Sequence, residues 1–305
     1  MFDITGKRSL FLILSEIVIL IAIIALAVFG LKPGIEFSSG SLLTLSFEQE
    51  VAQSELKEEL TSRGYDNAII QRTGTGDFFI RTQELSAEER TALEDSLSAR
   101  FGPLTEREFN SVSSMVAGET VHNAIIAVAV AAVGILLYIT WAFRRMPKPF
   151  HYGICAIIAL VHDVVLVTGI FAILGAIMNW EINLMFITGV LAVIGYSINN
   201  TVVVFDRIRE NLRKGVHPDF EMVVNNSLVE TLSRSLNTSL TTLFVVLALL
   251  LFVGASIQNF ALVMLIGIIV GTYSSLFVAP TLLIVWERGE WGNLIPLRRA
   301  KTKEA

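Results

Sequence analysis

Asp163 stands in the middle of an apolar run, about ten residues from either end, with His162 just before it. A carboxylate at the centre of a membrane helix costs roughly 2.5 to 3.5 kcal/mol on insertion scales, so a function or a strong partner is expected there. Two readings are open: a proton relay or bundle switch, and a structural hydrogen-bonded carboxylate. A second polar group, Ser197, Asn199, Asn200 and Thr201, interrupts the run LAVIGYSINNTVVVFDRIRENLRK at residues 191–214. In hydrocarbon each amide needs a partner, so this face is expected to point into a helix bundle or a watery cleft rather than at lipid. The same segment ends in Asp206, Arg207, Arg209, Glu210, Arg213 and Lys214, which places a charged membrane-surface end on the helix that carries the polar site. Arg234 opens a third polar stretch with Ser235, Asn237, Thr238, Ser239, Thr241 and Thr242, and positions 234, 238 and 241 share one helical face. A snorkelling arginine is the plain reading; the hydroxyl stripe behind it favours an inward-facing partner for Asn200 or Asp163.

Other chemistries find no support. His122, His151, His162 and His217 are far apart and lack ligand spacing, so no metal site is expected. Cys155 is single and lies in an apolar run, which excludes a disulfide framework. No nucleophile with a base, no phosphate-binding glycine loop and no nucleotide motif occurs, so neither an enzyme nor a cofactor is expected. Intramembrane ionisable groups without such a motif point to an ion gradient, or to a passive role in a larger complex.

The elements that hold these residues follow from composition. With 53% apolar and only 17% charged residues among 305, the chain falls outside the soluble range, where charged residues are about 25%. It reads as a polytopic α-helical membrane protein with six spans, at about residues 10–31, 122–143, 151–177, 183–205, 235–254 and 258–285. The first is too long for a signal peptide and has no small-residue cleavage site after it, so it reads as a retained helix. Glu16 within it reads as bundle-facing or snorkelling.

Residues 32–120 read as a separate extracytoplasmic α+β domain. Lys32 to Val121 holds 16 acidic and 8 basic residues, a net of −8, against −5 for the whole chain. Residues 41–47 alternate in strand fashion, 53–63 have helical spacing and end at Gly64, and 68–72 and 78–82 are short strands around the turn-rich 73–77. Ser86 and Glu89 form a capping box for a helix to about Phe101, and 106–113 supply a last strand. The order βαββαβ is that of a ferredoxin-like sandwich.

Loop charges set the orientation. Arg144, Arg145 and Lys148, the run Arg207 to Lys214, and Arg298 to Lys303 must share one side, so the positive-inside rule puts both termini in the cytoplasm and the acidic domain outside. Trp141, Trp180 and Trp286 at helix ends form an aromatic belt. Residues 206–234, with Phe220, Met222, Val223, Val224 and Leu228 as apolar set, read as an amphipathic cytoplasmic connection along the membrane surface or under the bundle. Residues 287–305 form a basic cytoplasmic tail, which charge bias explains without a lipid or nucleic-acid partner.

Four segments then resemble a known family: GYSINNTVVVFDRIREN at 195–211, Val161-His162-Asp163, GIEFSSG at 34–40 and LSRSLNTSLTT at 232–242. Together they are similar to the SecF family of protein translocase subunits, over nearly the whole chain. The resemblance implies a bacterial inner-membrane subunit, related to resistance-nodulation-division transporters, that pairs with SecD. The pair assists export of unfolded polypeptide through the SecYEG channel using the proton motive force, with a YajC-type accessory protein as a further partner. Two departures stand out. Glu36 and Ser39 replace residues of the usual G-[I/L]-D-F-x-G-G, and the usual N-D-[T/S] is Asn199-Asn200-Thr201. The aspartate the family would use for proton transfer, close to the arginine matched by Arg234, is therefore an asparagine. Rival readings are half of a proton-coupled lipid or drug exporter, against which the small domain argues, and a non-conducting scaffold of the translocon. Coupling candidates are Asp163, Asn200 and Arg234, with His162, Asn199, Thr201, Asp206 and Thr238 as the supporting polar face.

Overall fold

A computed structural model of the chain describes residues 3–72, 76–252 and 257–289. Pro33–Ile126 form one compact unit; the described residues of Met1–Lys32 and Ala127–Ala305 form the other. Thr73, Gly74 and Thr75 of the expected turn, the end of the fifth expected span at 253–254, and the basic tail from residue 290 onward lie outside the described residues.

In chain order, a 3₁₀ turn at Thr5–Lys7 leads into α1 (Arg8–Phe29), followed by α2 (Ile35–Ser38), β1 (Gly40–Phe47), α3 (Gln53–Ser62), β2 (Ile69–Arg72), β3 (Phe78–Thr82), α4 (Ala87–Phe101) and β4 (Leu104–Val112). The four strands form one antiparallel sheet in the order β2-β3-β1-β4. Alternation along β1 and β3 turns Leu43, Leu45, Phe78 and Ile80 to one face, where Leu56 and Leu60 of α3 and Leu93 and Leu97 of α4 close over them. The capping box is present: Ser86 Oγ accepts from Glu89 N while Glu89 Oε2 accepts from Ser86 N at 2.8 Å, so two orphan donors of α4 are satisfied. Register shifts between Thr44 and Leu45, leaving Arg107 of the edge strand β4 as an extra residue between Glu106 and Glu108. A bulge flanked by charges blunts an edge against further strand pairing.

The remaining helices are α5 (Ser114–Ala142), α6 (Pro149–Met178), α7 (Leu184–Lys214), α8 (Phe220–Phe252), α9 (Gln258–Tyr273) and α10 (Ala279–Arg288), with a π-helical turn at Ser274–Val278 joining the last two. Among the described residues six helices are long and apolar enough to cross a membrane: Thr5–Phe29, Ser114–Ala142, Pro149–Met178, Leu184–Lys214, Phe220–Phe252 and Gln258–Arg288. The chain is a multi-pass membrane protein.

The connection expected at 206–234 is not an independent element. α7 continues to Lys214, stops at Gly215 with φ +65°, and α8 restarts at Phe220. Val204, Phe205 and Ile208 of α7 pack with Val224 and Leu228 of α8 and the apolar residues of α10, so the two extensions are held under the bundle by burial; Met222 stays exposed. Two close crossings tie the bundle together. A Cβ on Gly169 of α6 would lie 2.4 Å from Ala22 Cβ of α1, and one on Gly267 of α9 would lie 2.1 Å from Val193 Cγ2 of α7. Small residues at such contacts let helix backbones approach in the absence of a hydrophobic drive between helices. Glu16 of α1 is on the exposed side of its helix.

Candidate functional site

The helical period of α6 puts Tyr152, Ala156, Ala159, Asp163, Leu166 and Val167 on its buried side, so Asp163 enters the bundle with the core residues. It is 1% exposed. Ser197 Oγ of α7 donates to Asp163 Oδ2 at 2.5 Å, and Ser274 Oγ, the first residue of the π turn, donates to the same oxygen at 2.8 Å. Oδ1 faces His162 Nδ1 at 3.0 Å. Among the described residues no lysine or arginine reaches this carboxylate; hydroxyls from two other segments and a neighbouring imidazole solvate it. His162 is itself buried, its Nε2 has no hydrogen-bond partner among the described residues, and its ring faces Tyr273 at 6.4 Å between centroids, inclined by 24°.

A second polar layer is centred on Ser239 of α8. Tyr196 Oη donates to Ser239 Oγ at 3.1 Å and Asn200 Nδ2 at 3.5 Å, while Thr272 Oγ1 lies 2.6 Å away and donates its own proton to Ile268 O. A hydroxyl has one donor and two acceptor sites, so Ser239 must donate to Thr272 and accept from the other two; the layer is satisfied without any charge. Thr201 Oγ1 donates to Ser197 O at 3.2 Å, linking the layers along α7. Asn200 is thus buried, with its Nδ2 directed at Ser239.

The sequence-derived set divides cleanly. Asp163, His162, Asn200 and Thr201 are buried inside the bundle, whereas Asn199, Asp206, Arg234 and Thr238 are exposed. Asp206 belongs to the charged helix end, where it pairs with Arg209. The expectation that Arg234 faces inward does not hold. The buried side of α8 runs through Thr231, Ser235, Ser239 and Val246, and Arg234, Asn237, Thr238 and Thr241 fall on the other side at 100° per residue. Thr238 Oγ1 turns back to Arg234 O at 2.9 Å, and the Arg234 guanidinium has no partner among the described residues. Neither Asp163 nor Asn200 is its counter-ion.

Sequence reasoning missed Ser274, Thr272 and Tyr196. GTYSS at 271–275 puts four hydroxyls in five residues next to Pro280, a density that close packing alone does not require. At the helix ends, Arg8 and Arg288 both engage Glu221, and Arg288 holds the Asp219 carboxyl below its usual range by donating to it at 2.9 Å.

Residues 92–289 match the family model "Protein export membrane protein SecD/SecF, C-terminal", and residues 24–51 match "SecD/SecF GG Motif". The chain is 44% identical to the protein translocase subunit SecF of Thermobaculum terrenum, covering 95% of this chain and 96% of that one. It is 33% identical to the translocase subunit SecDF of Bacillus subtilis, covering 94% of this chain but 38% of that protein. Among solved structures, that of Thermus thermophilus SecDF, a translocon-associated membrane protein, superposes with a TM-score of 0.84 at 34% identity, over 94% of this chain and 39% of that one.

Proposed function

The chain belongs to the SecD/SecF family of protein-export membrane proteins, and from that membership we propose that it is a SecF-type accessory subunit of the Sec machinery. In this reading it pairs with a SecD partner and draws on the proton motive force to promote translocation of unfolded polypeptide through SecYEG. The observation that carries it is the pattern of coverage: the chain matches a separate SecF over nearly its full length, but only 38% of a SecDF, whose remainder must come from a second, SecD-like part.

The exposed polar face of α8 supports a partner within the membrane. Arg234, Asn237, Thr238 and Thr241 on a membrane-crossing helix are costly against lipid, so a helix offering a carboxylate is the complementary surface, and SecD is the natural supplier. With an amide at position 200, Asp163 is the one buried carboxylate among the described membrane residues. The basic residues between α5 and α6 and at the end of α7 support cytoplasmic termini in an inner membrane and an outer 33–126 domain. Its antiparallel sheet order supports reading that domain as ferredoxin-like. A second reading, a non-conducting scaffold, is favoured by Asn200 alone. The test is affinity purification of the tagged chain from native membranes: SecD and SecYEG are expected to co-elute, and elution without SecD overturns the subunit reading.

A further inference from the structure

Both lone pairs of Asp163 Oδ2 are occupied, by Ser197 Oγ and Ser274 Oγ, and Oδ1 takes His162 Nδ1. Ser274 Oγ also lies 3.3 Å from Gly271 O, a second acceptor on its own helix, and one hydroxyl proton serves one acceptor at a time. While Asp163 is ionised its bond from Ser274 is charge-assisted, roughly twice as strong as a neutral one, so the hydroxyl stays on the carboxylate. Once Asp163 is neutral, its oxygen is an ordinary acceptor and Gly271 O competes with it on equal terms.

His162 also offers a place for the proton to land. With Nδ1–H donating to Asp163, His162 Nε2 carries a bare lone pair, and it is buried without a partner among the described residues. A proton arriving at Nε2 makes the ring cationic. The Nδ1 proton then passes to Oδ1, leaving a neutral imidazole with Nε2–H and a neutral carboxylic acid. Among the described residues no other charge intervenes. α1 offers Ser15, with Glu16 on its exposed side, and α7 offers Ser197, with Tyr196 committed to Ser239. Glu287 and Arg288 of α10 pair with Lys148 and Asp219, Arg207 of α7 pairs with Glu230, and Arg234 of α8 faces outward.

The hydroxyl sits at the first residue of a π turn. A π turn inserts one residue into an α-helix and often marks a functional site, and Pro280 after it has no N–H to offer the carbonyl of Leu276. Tyr273, next to Ser274, donates from Oη to Phe11 O of α1 at 2.8 Å and lies against His162. Movement at 273–274 is therefore felt by α1, the helix that leads into the 33–126 domain.

We propose that His162 and Asp163 form a proton-binding dyad, loaded at His162 Nε2, whose charge state Ser274 transmits to the π turn and, through Tyr273, to α1. This deepens the proton-coupling reading above and rests on it. The test uses the full chain in lipid nanodiscs. A pH jump followed by infrared spectroscopy is expected to show a carboxylic C=O band that forms on acidification, is absent in Asp163→Asn, and forms at least about tenfold more slowly in His162→Gln, which keeps a donor but cannot relay. Hydrogen exchange is expected to show peptide 271–279 about tenfold less protected in Asp163→Asn, equally so in Ser274→Ala, and no further in the double variant. No titrating band, wild-type loading in His162→Gln, or multiplying effects of the two exchange variants would overturn the dyad. The band and Ser274→Ala remain informative if Asp163→Asn does not fold, and co-elution of SecD is unaffected by any of these outcomes.

Discussion

Gly169→Ala is a one-methyl perturbation of the contact that seats α1 on α6. The added Cβ would sit 2.4 Å from Ala22 Cβ, 2.7 Å from Ala22 Cα and 3.0 Å from Ala22 O. Carbon atoms rest at about 3.5 to 4.0 Å, so the helices must part by about 1 Å, and two of the three opposing atoms are backbone that cannot rotate away. A gap of 0.5 to 1 Å forfeits about a quarter to a half of each dispersion contact, and Leu12, Ser15, Ala22 and Ala25 are the buried residues of α1 that lose it. Overpacking costs about 1 to 3 kcal/mol; a backbone-limited site belongs near the middle, about 2 kcal/mol. Reversible unfolding of the full chain by SDS titration in mixed micelles would measure it. Gly134→Ala and Gly195→Ala are the controls, because nothing lies within 4 Å of their added Cβ and both positions are helical. They are expected to be neutral or to gain up to about 1 kcal/mol. Equal stability of Gly169→Ala and the two controls would refute the close crossing.

In reconstituted vesicles with SecD and SecYEG, Asp163→Asn is expected to abolish proton-driven stimulation of export and Asn200→Asp to preserve or raise it. Gradient-dependent export that survives Asp163→Asn would sink Asp163 as the coupling group. Residues 33–118 expressed alone are expected to melt cooperatively as mixed helix and sheet, and Leu97→Ala, at a fully buried core position, to cost about 2 to 5 kcal/mol; a disordered fragment counts against an independent core. Hydrogen bonds from the Ser86 backbone and side chain hold the Glu89 carboxyl below its usual range. Its folded value is depressed, so the stabilisation is present above its unfolded value of about 4.3 and is lost as pH falls through the folded one. Melting of Glu89→Gln, which removes the titrating carboxylate, should therefore approach wild type in acid, and a constant difference at all pH values would refute the charged half of the cap. After Cys155→Ala, a cysteine at Glu58 should react with an impermeant thiol reagent from outside the cell and one at Lys214 should not; labelling of both from one side would overturn the orientation.

Element type and position were legible in the sequence because each rests on local chemistry. Apolar length marks a membrane span whatever it packs against, the Ser86 and Glu89 spacing closes a cap within one turn, and alternation at Leu43 and Leu45 declares a one-sided strand. Burial of Asp163 was legible too, since it shares a helical face with core residues. Helix rotation was not. Ser235 and Ser239 face the core while Arg234 and Thr238 face away, and α8 carries hydroxyls on both sides, so its polar pattern names no inner face; contact with α7 and α9 chose it. The same holds for Ser274. Its hydroxyl reaches Asp163 because a π turn displaces one residue of the register, and that displacement depends on packing between segments about a hundred residues apart in the chain.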